Sequence, residues 1–174
     1  ACAGGGGKTL HLAALMQGKG SIVALDTLPW KLDELRKRAR RAGAHNIETR
    51  TIENSKVIKR LYESADRLLL DVPCTGLGVL RRNPDSKWKL SPAFLEEIRQ
   101  TQQHILQQYT RIVKPGGLVV YATCSLLPVE NEEQVRTFLD SPTGAAFELL
   151  AERTLWPQDE GFDGFYTALL RRNK

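Results

Sequence analysis

Four consecutive glycines, Gly4 to Gly7, run straight into Lys8-Thr9 and the apolar segment Leu10 to Met16, and this junction restricts the chain more than any other stretch. Glycine lets a backbone turn tightly and approach a ligand closely, and a helix that begins there offers its unpaired N–H groups to an anionic group. Two phosphate-binding patterns built on that logic fail on spacing. A P-loop needs a glycine five positions before Gly7, where Cys2 stands, and the strict dinucleotide pattern needs its third glycine at Thr9. What survives is a looser nucleoside-binding arrangement, in which an acid ending the next strand takes both ribose hydroxyls about 20 residues downstream. Asp26 closes Ser21-Ile22-Val23-Ala24-Leu25 and stands 19 residues beyond Gly7. Its two oxygens suit two hydroxyl donors. A tight turn followed by a helix-capping acid is the competing reading.

Alternating patterns continue to the end of the chain. Ser21 to Asp26, Asn46 to Ile52, Asp66 to Asp71 and Leu118 to Thr123 read as strands, apolar enough to be covered on both faces. Leu28 to Ala42 reads as a helix with Leu28, Leu32, Leu35, Ala39 and Ala42 on one face and Gly43 as its stop. Ser91-Pro92 opens a second long helix, whose stripe is Leu95, Ile98, Ile105, Tyr109 and Ile112 and whose end is Pro115-Gly116-Gly117. A further helix over Val129 to Leu139 and a late hairpin of Ala146 to Leu150 with Phe165 to Leu170 complete an α/β doubly wound sheet. With 174 residues and no linker-like or repeated segment, one domain over 1–174 is expected. Its opening glycine turn lacks a preceding strand, so the first strand and further chain are expected before Ala1.

The longest uncharged run, Pro115 to Val129, has 15 residues, two prolines and two glycines, too short and broken for a membrane span of about 20 apolar residues. Three cysteines, Cys2, Cys74 and Cys124, form neither a disulfide framework nor a zinc pattern, which fits a reducing, cytoplasmic setting. The net charge of +5 is regional. Lys31 to Lys89 carries 15 Lys/Arg against 8 Asp/Glu, as an anionic partner would require.

Two of the cysteines stand at strand ends. Leu68-Leu69-Leu70-Asp71-Val72-Pro73-Cys74 and Val119-Val120-Tyr121-Ala122-Thr123-Cys124-Ser125 share one plan, and ligands of open α/β sheets bind at such carboxyl ends. If the strands are neighbours, both thiols face one crevice. One isolated cysteine is more often a small core residue. A pair beside Asp71 suits methylation at carbon 5 of a pyrimidine, where a thiolate adding to carbon 6 makes carbon 5 enamine-like and divides one hard step into easier ones. The acid would hold or protonate the ring nitrogen, and the second thiol would assist breakdown of the adduct. The expectation is that the two sulfurs straddle a single flipped ring.

The segments Ala1-Cys2-Ala3-Gly4-Gly5-Gly6-Gly7-Lys8-Thr9, Asp71-Val72-Pro73-Cys74, Arg81-Arg82-Asn83-Pro84-Asp85-Ser86-Lys87-Trp88, Tyr121-Ala122-Thr123-Cys124-Ser125 and Asp163-Gly164-Phe165-Tyr166 together resemble the Nop/Sun family of RNA cytosine-5 methyltransferases. The resemblance runs through nearly the whole chain. It implies a Rossmann-like class I methyltransferase sheet with helices on both faces, and S-adenosylmethionine as cofactor. Cys2, Ala3, Gly4, Gly5, Gly6, Gly7, Lys8 and Asp26 would hold that cofactor, with Asp71 near both cofactor and base. It assigns attack to Cys124, product release to Cys74 and cytosine positioning to Lys8. Two positions depart from the family pattern: Gly5 stands where proline is usual, and Glu53 is the nearest acid where an aspartate follows the third strand.

Arg81, Arg82, Lys87 and Lys89 around Trp88 read as RNA contacts, cations for phosphates beside an aromatic ring for packing or stacking, with a solvated loop anchored by Trp88 as the competing reading. Arg36, Lys37, Arg38, Arg40 and Arg41 lie opposite an apolar stripe and read as a solvated helix face. His11, His45 and His104 lack ligand spacing and read as surface. The resulting expectation is an RNA cytosine-5 methyltransferase acting on ribosomal RNA, without membrane association, and with preceding chain contributing to RNA binding. An RNA-binding module without catalysis, or a methyltransferase for DNA or a small molecule, are the alternatives.

Overall fold

A computed structural model describes residues 1–173, apart from the side chain of Glu160. The chain forms two compact units, Ala1–Leu61 and Tyr62–Lys174.

The first unit runs α1 (Gly7–Leu15), β1 (Ile22–Asp26), α2 (Pro29–Arg41), β2 (Ile47–Thr51) and α3 (Ser55–Lys59). β1 and β2 pair in parallel from Ile22 opposite Ile47 to Asp26 opposite Thr51. The core is small: Ala24 of β1 meets Leu32, Leu35 and Ala39 of α2, flanked by Ala3, Leu10, Ala44 and Ile47. Only the middle of the expected α2 face is buried. Leu28 is 40% exposed and Ala42 is exposed, because the helix begins at Pro29 and has reached its C-cap at Ala42. α2 closes in a Schellman motif, with Gly43 at φ 63°, the Ala44 N–H on the Ala39 carbonyl and the Gly43 N–H on the Arg40 carbonyl.

The second unit runs β3 (Ala65–Asp71), a 3₁₀ turn (Leu77–Val79), α4 (Ser86–Lys89), α5 (Pro92–Tyr109), a 3₁₀ turn (Thr110–Ile112), β4 (Val113–Thr123), a 3₁₀ turn (Pro128–Glu130), α6 (Glu132–Leu139), a 3₁₀ turn (Gly144–Ala146), β5 (Phe147–Leu155), α7 (Pro157–Glu160) and β6 (Phe165–Arg172). The sheet order is β3-β4-β6-β5, with β3 and β4 parallel and the other pairings antiparallel. Ser91 caps α5 by accepting the Phe94 N–H. The expected stripe of α5 is buried only toward its end: Leu95 and Ile98 are half-buried, while Ile105 and Tyr109 are in the core. Pro115-Gly116-Gly117 does not end this helix. Tyr109 does, and the three residues fall inside β4, where the pairing jumps from Ala65–Val113 to Arg67–Leu118. Proline lacks the ladder N–H and Gly116 sits at φ 78°, so the segment bulges out of the sheet without interrupting the strand. The late hairpin is present and longer than expected on both arms, reaching Leu155 and Arg172. The helix expected from Val129 is a 3₁₀ turn followed by α6 from Glu132.

Candidate functional site

In the first unit the glycine turn is laid against the carboxyl end of β1. The Ala3 N–H reaches the Leu25 carbonyl, and Gly4 and Gly6 adopt φ 55° and 89°. Gly6 must be glycine for a second reason: a Cβ there would stand 2.5 Å from Leu35 Cγ. α1 starts with no side-chain cap and no acid in its first turn, so its opening N–H groups are offered to an outside anion. Asp26, 6% exposed, accepts the Gly4 N–H on Oδ2 at 2.8 Å and the Leu28 N–H on Oδ1 at 3.0 Å. The acid therefore braces the turn and the start of α2, each oxygen keeping a lone pair for a further donor. Lys8 and Glu53 are exposed, Glu53 two residues beyond β2. His11, His45 and His104 are exposed, as surface residues should be.

The second unit brings the two strand-end cysteines together. β3 and β4 are neighbours, Asp71 pairs with Ala122, and the Val72 N–H extends the ladder to the Ala122 carbonyl. Cys74 and Cys124 then meet with their sulfurs 3.2 Å apart, and the Cys124 N–H donates to Cys74 Sγ at 3.3 Å. Neither is in a disulfide, and both are half-buried. The hydrogen bond to Cys124, and then burial, push the Cys74 thiol far above the ordinary thiol range, against the smaller pull of the Cys124 and Gly76 N–H groups. The pair thus resists losing both protons. At contact distance no ring fits between the sulfurs. The expected straddling arrangement is therefore absent, and the two sulfurs lie side by side.

Several residues that hold the cysteine pair in place carry no signal strong enough to pick out of the sequence. Glu130 is fully buried and accepts from both cysteine loops, and Gln102 of α5 donates to the Pro73 carbonyl at 2.9 Å. An acid after Leu126-Leu127-Pro128-Val129 reads as the solvated start of a helix. Gly78 packs on the same loops: its N–H meets the Cys124 carbonyl, its carbonyl accepts from Gly164, and Asp163 beside Gly164 holds Arg82 at 2.5 Å. Arg81 donates to the Gly161 carbonyl. Both arginines are therefore partly engaged within the protein. Trp88 is 78% exposed on α4, with the Lys87 ammonium 4.8 Å from its ring centroid. No helix of the described residues is long and apolar enough to cross a membrane.

The family described as 16S rRNA methyltransferase RsmB/F matches residues 1–171. A probable ribosomal RNA small subunit methyltransferase B of Synechocystis is 38% identical over 98% of this chain and 42% of its own length. The mouse tRNA (cytosine(72)-C(5))-methyltransferase NSUN6 is 39% identical over 79% of this chain and 32% of its own length. A crystal structure of NSun6 from Pyrococcus horikoshii with SFG superimposes with a TM-score of 0.86 at 27% identity, covering 98% of this chain and 46% of that one. This chain accordingly spans less than half the length of each of these three relatives, and its α/β fold is Rossmann-like. A match from the first residue through Arg171 in the last strand leaves one assignment: the chain belongs to the 16S rRNA methyltransferase RsmB/F family.

Proposed function

We propose that this chain is the catalytic domain of an S-adenosylmethionine-dependent RNA cytosine-5 methyltransferase that acts on ribosomal RNA. The observation that carries the reading is the contact of Cys74 and Cys124, 3.2 Å apart at the ends of adjacent parallel strands. The glycine turn fits the cofactor, since the uncapped start of α1 and the braced Asp26 offer N–H donors for a carboxylate and acceptors for ribose hydroxyls. Cys2 to Lys8 and Asp26 would hold it, with Glu53 and Asp71 as further contacts. When bound, it supplies an electrophilic methyl group.

The rest of the chemistry belongs to the chain. Cys124 Sγ adds to carbon 6 of cytosine, the 5,6 double bond opens, and carbon 5 becomes nucleophilic, with Asp71 holding or protonating the ring nitrogen and Lys8 positioning the base. After methylation, carbon 5 gives up its proton to water, the C5–H electron pair re-forms the double bond, and the S–C6 bond breaks with its pair returning to Cys124 as thiolate. Cys74 assists that release from the same side as Cys124. The target base must leave its stack, which costs least in single-stranded or loop RNA. RsmB/F membership and the cytosine named in the mouse relative support the substrate class.

Incubation of the protein with methyl-labelled cofactor and ribosomal RNA, followed by nucleoside analysis, is expected to yield 5-methylcytidine; its absence would overturn the reading. Cys124→Ala is expected to abolish the denaturant-stable RNA adduct. Cys74→Ala is expected to let that adduct accumulate. The reverse pattern would exchange the two roles.

A further inference from the structure

We infer that Glu130 is a positioning residue that holds the Cys74 and Cys124 loops in register with each other. Its consequence for catalysis rests on the methyltransferase reading, whereas its physical consequence rests on the cysteine geometry alone. Glu130 ends the 3₁₀ turn after the Cys124 loop and is fully buried. On Oε1 it accepts the Thr75 N–H at 2.8 Å and Gln102 Nε2 at 3.1 Å. On Oε2 it accepts the Thr75 hydroxyl at 2.6 Å and the Ser125 hydroxyl. Thr75 follows Cys74 and Ser125 follows Cys124, so one carboxylate ties the residue after each sulfur.

The residues before the cysteines are tied to the same hub. Gln102, while bonded to Glu130, also takes the Pro73 carbonyl at 2.9 Å, which brackets Cys74 from both sides. Asn131 accepts the Thr123 hydroxyl at 2.6 Å and donates to the Ser125 carbonyl at 3.0 Å, which brackets Cys124 in the same way. The Tyr121 hydroxyl donates to the Glu130 carbonyl at 2.7 Å and fixes the hub to β4.

The chemistry of the site requires an acid. Four donors converge, and a carboxylate has about four acceptor positions, whereas an amide has acceptor positions on one oxygen only. Among the described residues no cation partners Glu130, so the group bears a desolvation cost that an apolar side chain filling the same space would avoid. What that cost supports is a fixed distance between two sulfurs.

The test uses Glu130→Gln, which preserves volume, and Phe138→Leu, a core change in α6 outside the cysteine loops, as a stability control. Diamide is the probe: each thiol gives up one hydrogen, an S–S bond forms between Cys74 and Cys124, and diamide takes both hydrogens. The expected result is a cross-linking rate lowered about tenfold or more in Glu130→Gln, with kcat lowered about as much and KM for RNA within about twofold, as misplaced reacting groups require. Phe138→Leu is expected to lower Tm and leave the cross-linking rate within about twofold of the unaltered protein. A Glu130→Gln protein that cross-links at the unaltered rate, or a control that slows it equally, would overturn the inference. If the unaltered protein methylates no RNA, the methyltransferase reading falls, and the cross-linking rates still decide whether Glu130 positions the thiols.

Discussion

Gly78 has no room for a side chain, since a Cβ would lie 2.2 Å from the Gly164 carbonyl oxygen and 2.8 Å from that of Cys124. Both obstacles are backbone, so Gly78→Ala is expected to lower stability by about 1–3 kcal/mol in urea unfolding, as overpacking does. Gly7→Ala meets nothing within 4 Å and is the neutral comparison, expected within about 0.5 kcal/mol. Tyr166 gives a prediction with a sign. Burial, and then its hydrogen bond to Glu152, push its hydroxyl well above the ordinary phenol range. The folded chain thus keeps a proton that the unfolded chain releases near pH 10, so this stabilisation is complete below about pH 10 and is lost as pH rises. Tyr166→Phe is expected to cost about 1 kcal/mol at pH 7 and to make stability fall less steeply between about pH 9 and pH 11. Tyr121, raised by burial, keeps part of that slope. An unchanged slope would remove Tyr166 from the account. At this scale the cysteine pairing was legible, because two strands with one plan place their ends alike. Glu130 was not, because a buried acid is identified by its donors, and these come from positions 75, 102 and 125.

Elements were legible where a local device ends them. Pro29 inside the first turn and Gly43 beyond the last fix α2 to within a residue, and Arg38, Arg40 and Arg41 in its last turn favour the helix dipole. Gly43→Ala is expected to cost about 1 kcal/mol in urea unfolding, because a Cβ at φ 63° is strained even in open space. The same reasoning misplaced Pro115-Gly116-Gly117, since a helix stop and a strand bulge use the same residues. What distinguishes them is the partner: the bulge exists because β3 re-enters register at Arg67 opposite Leu118, which no local pattern encodes. The length of β5 was hidden for a related reason. It lies at the sheet edge with Leu149 to Arg153 exposed, so its pairing with β6, and no apolar alternation, holds it extended.

At the scale of the molecule, charge and cysteine chemistry are segregated along the chain. Residues 1–61 carry twelve Lys/Arg against five Asp/Glu, a net +7, whereas residues 62–174 carry thirteen against fifteen, a net −2. The basic excess that is visible in the composition therefore sits largely with the glycine turn and α2. In the second unit, the cluster expected to contact RNA is partly engaged within the protein, with Arg82 paired to Asp163 and Arg81 donating to the Gly161 carbonyl. Counterion release converts this into a measurement: on single-stranded RNA, each phosphate contact contributes about 0.7 to the slope of log affinity against log salt. Lys87→Ala and Arg81→Ala together are expected to flatten the slope by about 1.4 if both side chains reach phosphates. Arg82→Ala is expected to change it less than either, because its guanidinium must first leave a carboxylate. Arg40→Ala with Arg41→Ala distinguishes a phosphate-binding α2 from a solvated one: the solvated face expected from its apolar stripe leaves the slope within about 0.3, and a flattening near 1.4 would extend the RNA contact onto the first unit. Fluorescence titrations from about 50 to 200 mM salt provide all three slopes. An unchanged slope in the Arg81 and Lys87 double variant would reject the phosphate role of that cluster and leave the exposed Trp88 ring without the cations that were to anchor a strand beside it.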